Sequence, residues 1–149
     1  MQKLEEFQTY PFKILKTVDT PDGLFYVLED PFGFRHLLTS EYYDREKYQF
    51  AIGNEIECRV DKINCKGQLF LEPRHPKFQR GNTSELILHE TENSSETELY
   101  RAEDLEKNVW NAIYPVDTED EFPLKNLFII EKIKKGKIYL KKSKMSITQ

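Results

Sequence analysis

The sequence predicts an all-β protein built from two tandem five-stranded barrels, with a short helix in the first. Three observations carry this expectation. Aromatic residues make up 13% of the 149-residue chain, with 10 Phe and 8 Tyr against 6 Gly, a composition that favours twisted sheet. Short alternating apolar and polar runs are separated by Pro, Gly, Asp and Asn turns, as strands and hairpins require. Finally, the chain repeats itself. Residues 61–71 (DKINCKGQLFL) read acid-Lys-Ile, a turn, Lys-Gly, then polar-aliphatic-aromatic-Leu, and residues 131–140 (EKIKKGKIYL) keep that order with one turn residue fewer. Upstream, Tyr26-Val27-Leu28-Glu29-Asp30 is echoed 74 residues later by Tyr100-Arg101-Ala102-Glu103-Asp104. A period this long points to tandem small domains rather than a solenoid, with expected bounds of 1–80 and 81–149.

The elements follow in order. Residues 12–18 are a first strand, closed by a Pro21-Asp22-Gly23 turn in which Pro fixes φ and Gly accepts the left-handed conformation. Residues 24–29 and 34–39 are the second and third strands, joined by Asp30-Pro31-Phe32-Gly33. Residues 40–46 predict a short helix capped by Ser40 with acids in its first turn. Residues 55–63 are a fourth strand with Ile56, Cys58 and Val60 on one face and Glu55, Glu57, Arg59 and Asp61 on the other. Residues 68–72 complete a unit whose strand-strand-strand-helix-strand-strand order is that of an OB barrel, and Pro73 and Pro76 end it. In the second unit, strands are expected at 85–90, 98–102, 109–114, 124–133 and 137–142. Leu105, Val109, Trp110 and Ile113 also fit helical spacing, so a helix over 103–114 is the rival reading. Residues 145–149 are expected to fray.

The formal net charge of −4 hides an asymmetry. Residues 85–121 hold twelve acids against Arg101 and Lys107, and residues 122–149 hold eight lysines against Glu131. No apolar run approaches the ~20 residues a membrane span needs, and the N-terminal residues lack an apolar signal core. Two cysteines and three scattered histidines show no metal-ligand spacing. Glycine-rich phosphate loops and nucleophile motifs are absent from the sequence. The expectation is a cytoplasmic, non-catalytic protein with no cofactor, no metal and no membrane partner.

Residues 10–73 resemble RNA-binding OB domains of the ribosomal S-one and cold-shock type. The resemblance rests on the strand order, on residues 34–41 (FRHLLTSE) and on residues 52–60 (IGNEIECRV). The family's histidine lies two residues before its serine; Leu38 holds that place here and His36 is two places early, so the stacking histidine does not carry over. The resemblance implies RNA binding, with Phe25 and Phe34, and less directly Tyr26, as counterparts of the family's ligand-facing aromatics.

OB barrels bind single strands through strands two and three and the adjoining loops. Aromatic faces stack bases while basic residues track phosphates. Phe25, Phe34, Arg35 and His36 supply both ingredients around those strands, with Lys13 and Lys16 on strand one. Lys137, Tyr139 and Lys141 share one face of the last hairpin, as a nucleic-acid contact or as lysines guarding a sheet edge. Arg74 and Lys77, with His75 and Arg80, form a basic linker cluster. Single-stranded RNA or DNA is the expected partner. The competing class is a protein-interaction module whose acidic segment 85–121 docks a basic partner.

Overall fold

A computed structural model describes residues 3–144; the fraying expected at 145–149 lies outside them. The chain divides into two compact units, Met1–Pro76 and Lys77–Gln149. The protein is all-β. The first unit holds β1 (Thr9–Thr20), β2 (Gly23–Glu29), β3 (Arg35–Thr39), β4 (Glu55–Ile63) and β5 (Leu69–Pro73), with the short helix α1 (Arg45–Tyr48) before β4. The second holds β6 (Thr83–Glu90), α2 (Ser94–Thr97), β7 (Leu99–Glu103), β8 (Val109–Ile113), β9 (Leu124–Lys134) and β10 (Lys137–Lys142).

Both units use one strand order. The first sheet runs β3-β2-β1-β4-β5, and the second closes as β10-β8-β7-β6-β9, which is the same sequence of first, second, third, fourth and fifth strands. In the second unit β8 and β10 pair in parallel, Ile138 with Ala112 and Tyr139 with Ile113, and this pairing closes the barrel. In the first, β3 and β5 approach each other without a ladder among the described residues, so this five-stranded sheet is not closed by hydrogen bonds as the second is. A register shift between Ile14 and Lys16 lets the long β1 serve two neighbours, β4 through Thr9–Lys13 and β2 through Lys13–Thr20; such a bulge bends its strand and raises the local twist.

Alternation sets the cores. Phe12, Ile14, Tyr26, Leu28, Cys58 and Val60 fill the first, and Leu86, Leu88, Phe128, Ile130, Ile138 and Leu140 the second. Each large side chain buried this way contributes roughly 1.5–3 kcal/mol.

Two local expectations are corrected. The helix in the first unit begins at Arg45, beyond most of residues 40–46. Ser40 does not cap it, because its hydroxyl donates to the Leu24 carbonyl at 2.8 Å; Asp44 takes that role, its Oδ1 accepting from the Glu46 amide at 2.9 Å. The helix over 103–114 does not form: Val109–Ile113 is strand β8, paired with β7 from Leu99↔Ile113 to Glu103↔Val109. No helix among the described residues is long and apolar enough to cross a membrane.

Candidate nucleic-acid interface

The β2–β3 connection is built on one buried carboxylate. Asp30 Oδ1 accepts the amides of Phe32 at 2.8 Å and Phe34 at 3.0 Å, and Oδ2 lies 2.8 Å from His36 Nε2. The Asp30 amide donates to the Phe34 carbonyl and the Gly33 amide to the Asp30 carbonyl. Gly33 has φ 90°, which the turn requires and a side chain resists. Burial pushes the Asp30 carboxyl up, but the bonds from His36 and the two amides outweigh it and hold the group below its usual range. The backbone of Phe34 is therefore fixed, while its ring is 63% exposed.

The β2–β3 register decides which aromatics face outward. Tyr26 pairs with Leu38 and Leu28 with His36 on the core side; Phe25 pairs with Thr39, Val27 with Leu37 and Glu29 with Arg35 on the outer side. Tyr26 is 2% exposed and belongs to the core. Phe25 is half-buried, Arg35 is exposed and Leu37 is 55% exposed. Phe34, Arg35, Leu37 and Phe25 thus flank or occupy one outer face. Lys13 and Lys16 are also exposed. Alternation alone would put Phe34 and His36 on one face, and the structure does not. His36 turns inward, bonded to Asp30 and edge-on to Phe12 with ring centroids 6.0 Å apart, because Phe34 still belongs to the turn that Asp30 closes.

The second unit repeats the frame with other side chains. Asp104 Oδ1 accepts the amides of Glu106 and Asn108, both at 2.9 Å. Asp104 N donates to the Asn108 carbonyl, and Lys107 N to the Asp104 carbonyl. Trp110 takes the place of His36, donating through Nε1 to Asp104 Oδ2 at 2.8 Å. Lys107, at φ 72°, stands where the first unit has Gly33. The positions of Phe25, Phe34, Arg35 and Leu37 are held by Leu99, Asn108, Val109 and Asn111.

The last hairpin places its predicted residues together. Ile138 and Leu140 are buried, while Lys137, Tyr139 and Lys141 alternate on the other side. Lys132 Nζ sits 4.6 Å from the Tyr139 ring centroid. Tyr139 and Lys132 line an open cleft with Glu98, Ile113 and Pro115.

Three residues of the basic linker cluster are engaged within their own units. Arg74 pairs with Glu57 at 3.2 Å. His75 is buried at 5% exposure, and burial, aided by the Lys47 charge, lowers its pKa to about 4. Lys77 is held by Asp104 at 2.9 Å and by Glu106. Burial works against its charge, but the two carboxylates prevail and raise its pKa. Its positive charge anchors the second unit's loop. The acidic segment is likewise partly committed: Asp120, fully buried at its side chain, accepts from Tyr114 at 2.8 Å, from the Asp117 amide at 2.9 Å and from Lys142.

Three exposed side chains were not singled out by the sequence: Leu37, Lys132 and Phe7. Leu37 looked like one more strand aliphatic until register set its face. Lys132 is marked only by its cross-strand pairing with Tyr139. Phe7 precedes the first predicted strand, and its one available signal is the 74-residue offset that aligns it with Gly81. Among the described residues no group of three His, Cys, Asp or Glu is placed to hold a metal ion. No family model matches the chain, and no curated protein sequence matches it.

Proposed function

We propose that the chain is a tandem pair of OB-like units, arisen by duplication, that binds single-stranded nucleic acid, RNA foremost, without catalysis. The observation that carries the reading is the exposed Phe34 ring on a backbone pinned by Asp30, beside the outer face of β2 and β3. Phe34 and Leu37 are large apolar side chains left exposed at this edge, at 63% and 55%, where a partner can cover them. An aromatic platform with an adjacent guanidinium suits a base and its phosphate. Phe25, Phe34 and Arg35 would stack and neutralise in the first unit, while Lys137, Tyr139 and Lys141 would follow the strand in the second. His36 and Lys77 are supports in this reading, since carboxylates already hold their nitrogens. The duplication is supported by the shared strand order, the matching Asp loops and the hairpins. Both hairpins shift register at one place: Val60↔Leu71 is followed by Lys62↔Phe70, and Ile130↔Leu140 by Lys132↔Tyr139.

The test is a titration of labelled single-stranded RNA and DNA at low and high salt. Binding through lysine and arginine releases counterions, so affinity falls steeply as salt rises. One observation favours an adaptor reading instead: Glu90, Glu98 and Glu121 line a single open cleft with Tyr100 and Phe122. Absence of binding to every oligomer at low salt, with capture of a basic peptide by this cleft, would favour that alternative.

A further inference from the structure

We propose that Phe7 is a separate stacking platform for a base of single-stranded nucleic acid, backed by Arg59; this rests on the nucleic-acid reading above. Phe7 N donates to the Val60 carbonyl at 2.6 Å, and Gly81 N to the Ile130 carbonyl at 2.7 Å. The next amides along the frame match as well: Val60 N bonds the Gln8 carbonyl, and Ile130 N the Asn82 carbonyl. Phe7 and Gly81 therefore occupy one structural position. Both adopt the left-handed region, with φ 69° and 89°. Glycine enters that region freely, whereas a Cβ resists it. The first unit keeps a bulky aromatic where its own duplicate uses the residue best suited to that backbone.

The core does not explain that choice. Phe7 is 63% exposed, and the apolar anchor of this segment is Leu4, at 7%, matched by Phe78, at 5%. The ring is nevertheless positioned. The Arg59 guanidinium carbon lies 5.3 Å from the ring centroid, and Asp61 holds Arg59 at 2.7 Å. One side of the ring is thus backed, while most of the residue remains exposed. Strained backbone that persists in a folded protein points toward function, and an exposed aromatic braced by a guanidinium is suited to receive a planar ring. The chemistry excludes a phosphate contact here: Glu5 and Glu6 precede Phe7, and Asp61 neutralises the nearest cation. The platform therefore takes the face of a base. Phe7 lies beside β1 and β4, whereas Phe34 lies between β2 and β3, so the two are distinct contacts.

The test uses the full chain, an oligouridylate of about 12 nucleotides, within the usual span of an OB unit, and three variants. Phe7→Gly copies the second unit. It is expected to lower affinity about 5- to 150-fold, the range that stacking one base provides, by the same factor at low and high salt. Its melting temperature should be unchanged or raised. Phe7→Tyr should keep the affinity, and Phe7→Leu, which keeps the bulk and the left-handed backbone, should lose it. Undiminished binding by Phe7→Gly and Phe7→Leu, with wild-type binding intact, overturns this proposal and leaves the broader reading standing. Loss of affinity only in step with a lowered melting temperature also overturns it. Absence of binding by the wild type removes both readings together.

Discussion

Asp30 and Asp104 close the same loop in the two units, with four matching hydrogen bonds each, yet the loops present opposite chemistries. The first offers Phe34 to solvent, followed by Arg35 and Leu37 on β3. The second offers Asn108, followed by Val109 and Asn111 on β8, and its Glu106 is tied to Lys77. The carboxylate and the residue six places later, His36 or Trp110, hold the frame; the residues between them differ in the two units. What is shared holds the fold, and what differs is the chemistry each loop presents to solvent. The same contrast separates Phe7 from Gly81.

The largest expected effect breaks the shared part. Asp30→Ala and Asp104→Ala each strip acceptors from buried or turn amides, and each should cost its own unit about 2–4 kcal/mol. The single Trp110 reports unfolding of the second unit by fluorescence, so urea titrations followed by fluorescence and by far-ultraviolet circular dichroism resolve which unit is hurt. Equal effects on both units from either variant would show that the two frames are not independent.

His75 separates the units by pH. Its folded pKa of about 4 lies below the ordinary 6.5. Protonation is thus disfavoured in the folded state, and the stabilisation is complete above about pH 6.5 and lost as pH falls toward 4. The full change is about 3 kcal/mol by linkage. Asp30, with its lowered pKa, adds in the same direction at more acid pH. His75→Phe should flatten the slope between pH 6.5 and 4 in the first unit. A slope that survives the substitution would assign it elsewhere.

Much of the fold was legible because alternation and turn chemistry act locally. Residues 55–63 and 137–142 matched β4 and β10 residue for residue. The second copy of Tyr26 to Asp30 announced the loop that Asp104 closes. The helix was misplaced because Ser40 and Asp44 are both good caps, and the choice was made by the Leu24 carbonyl across the sheet. The site was half legible. Phe25 and Phe34 could be named, but register alone turned Tyr26 inward. Pairing partners claimed His36 and Lys77, and no local rule marks a side chain whose nitrogen is already bonded to Asp30 or Asp104.

Two smaller effects sharpen the comparison. Phe34→Ala should weaken binding to single-stranded RNA by about 1–3 kcal/mol and shift stability by no more than about 0.5 kcal/mol, since its ring is exposed. The matching Asn108→Ala should change binding less. A strongly lowered melting temperature for Phe34→Ala would make it a packing residue. Smallest is the double change of Lys137 and Lys141 to Glu. It should weaken all sequences alike and flatten the salt dependence by about one unit of slope for each phosphate no longer neutralised; a sequence-dependent loss would contradict a backbone-tracking role.

The most direct test of the division between shared frame and differing chemistry is a single-stranded RNA titration followed residue by residue in nitrogen–proton correlation spectra. Saturable shifts are expected in the amides of Phe25 and of Phe34 to Leu37, with much smaller shifts at the matching Leu99 and Asn108 to Asn111. Shifts confined to the second unit's β7–β8 face, or equal at both matching sets, would contradict that division.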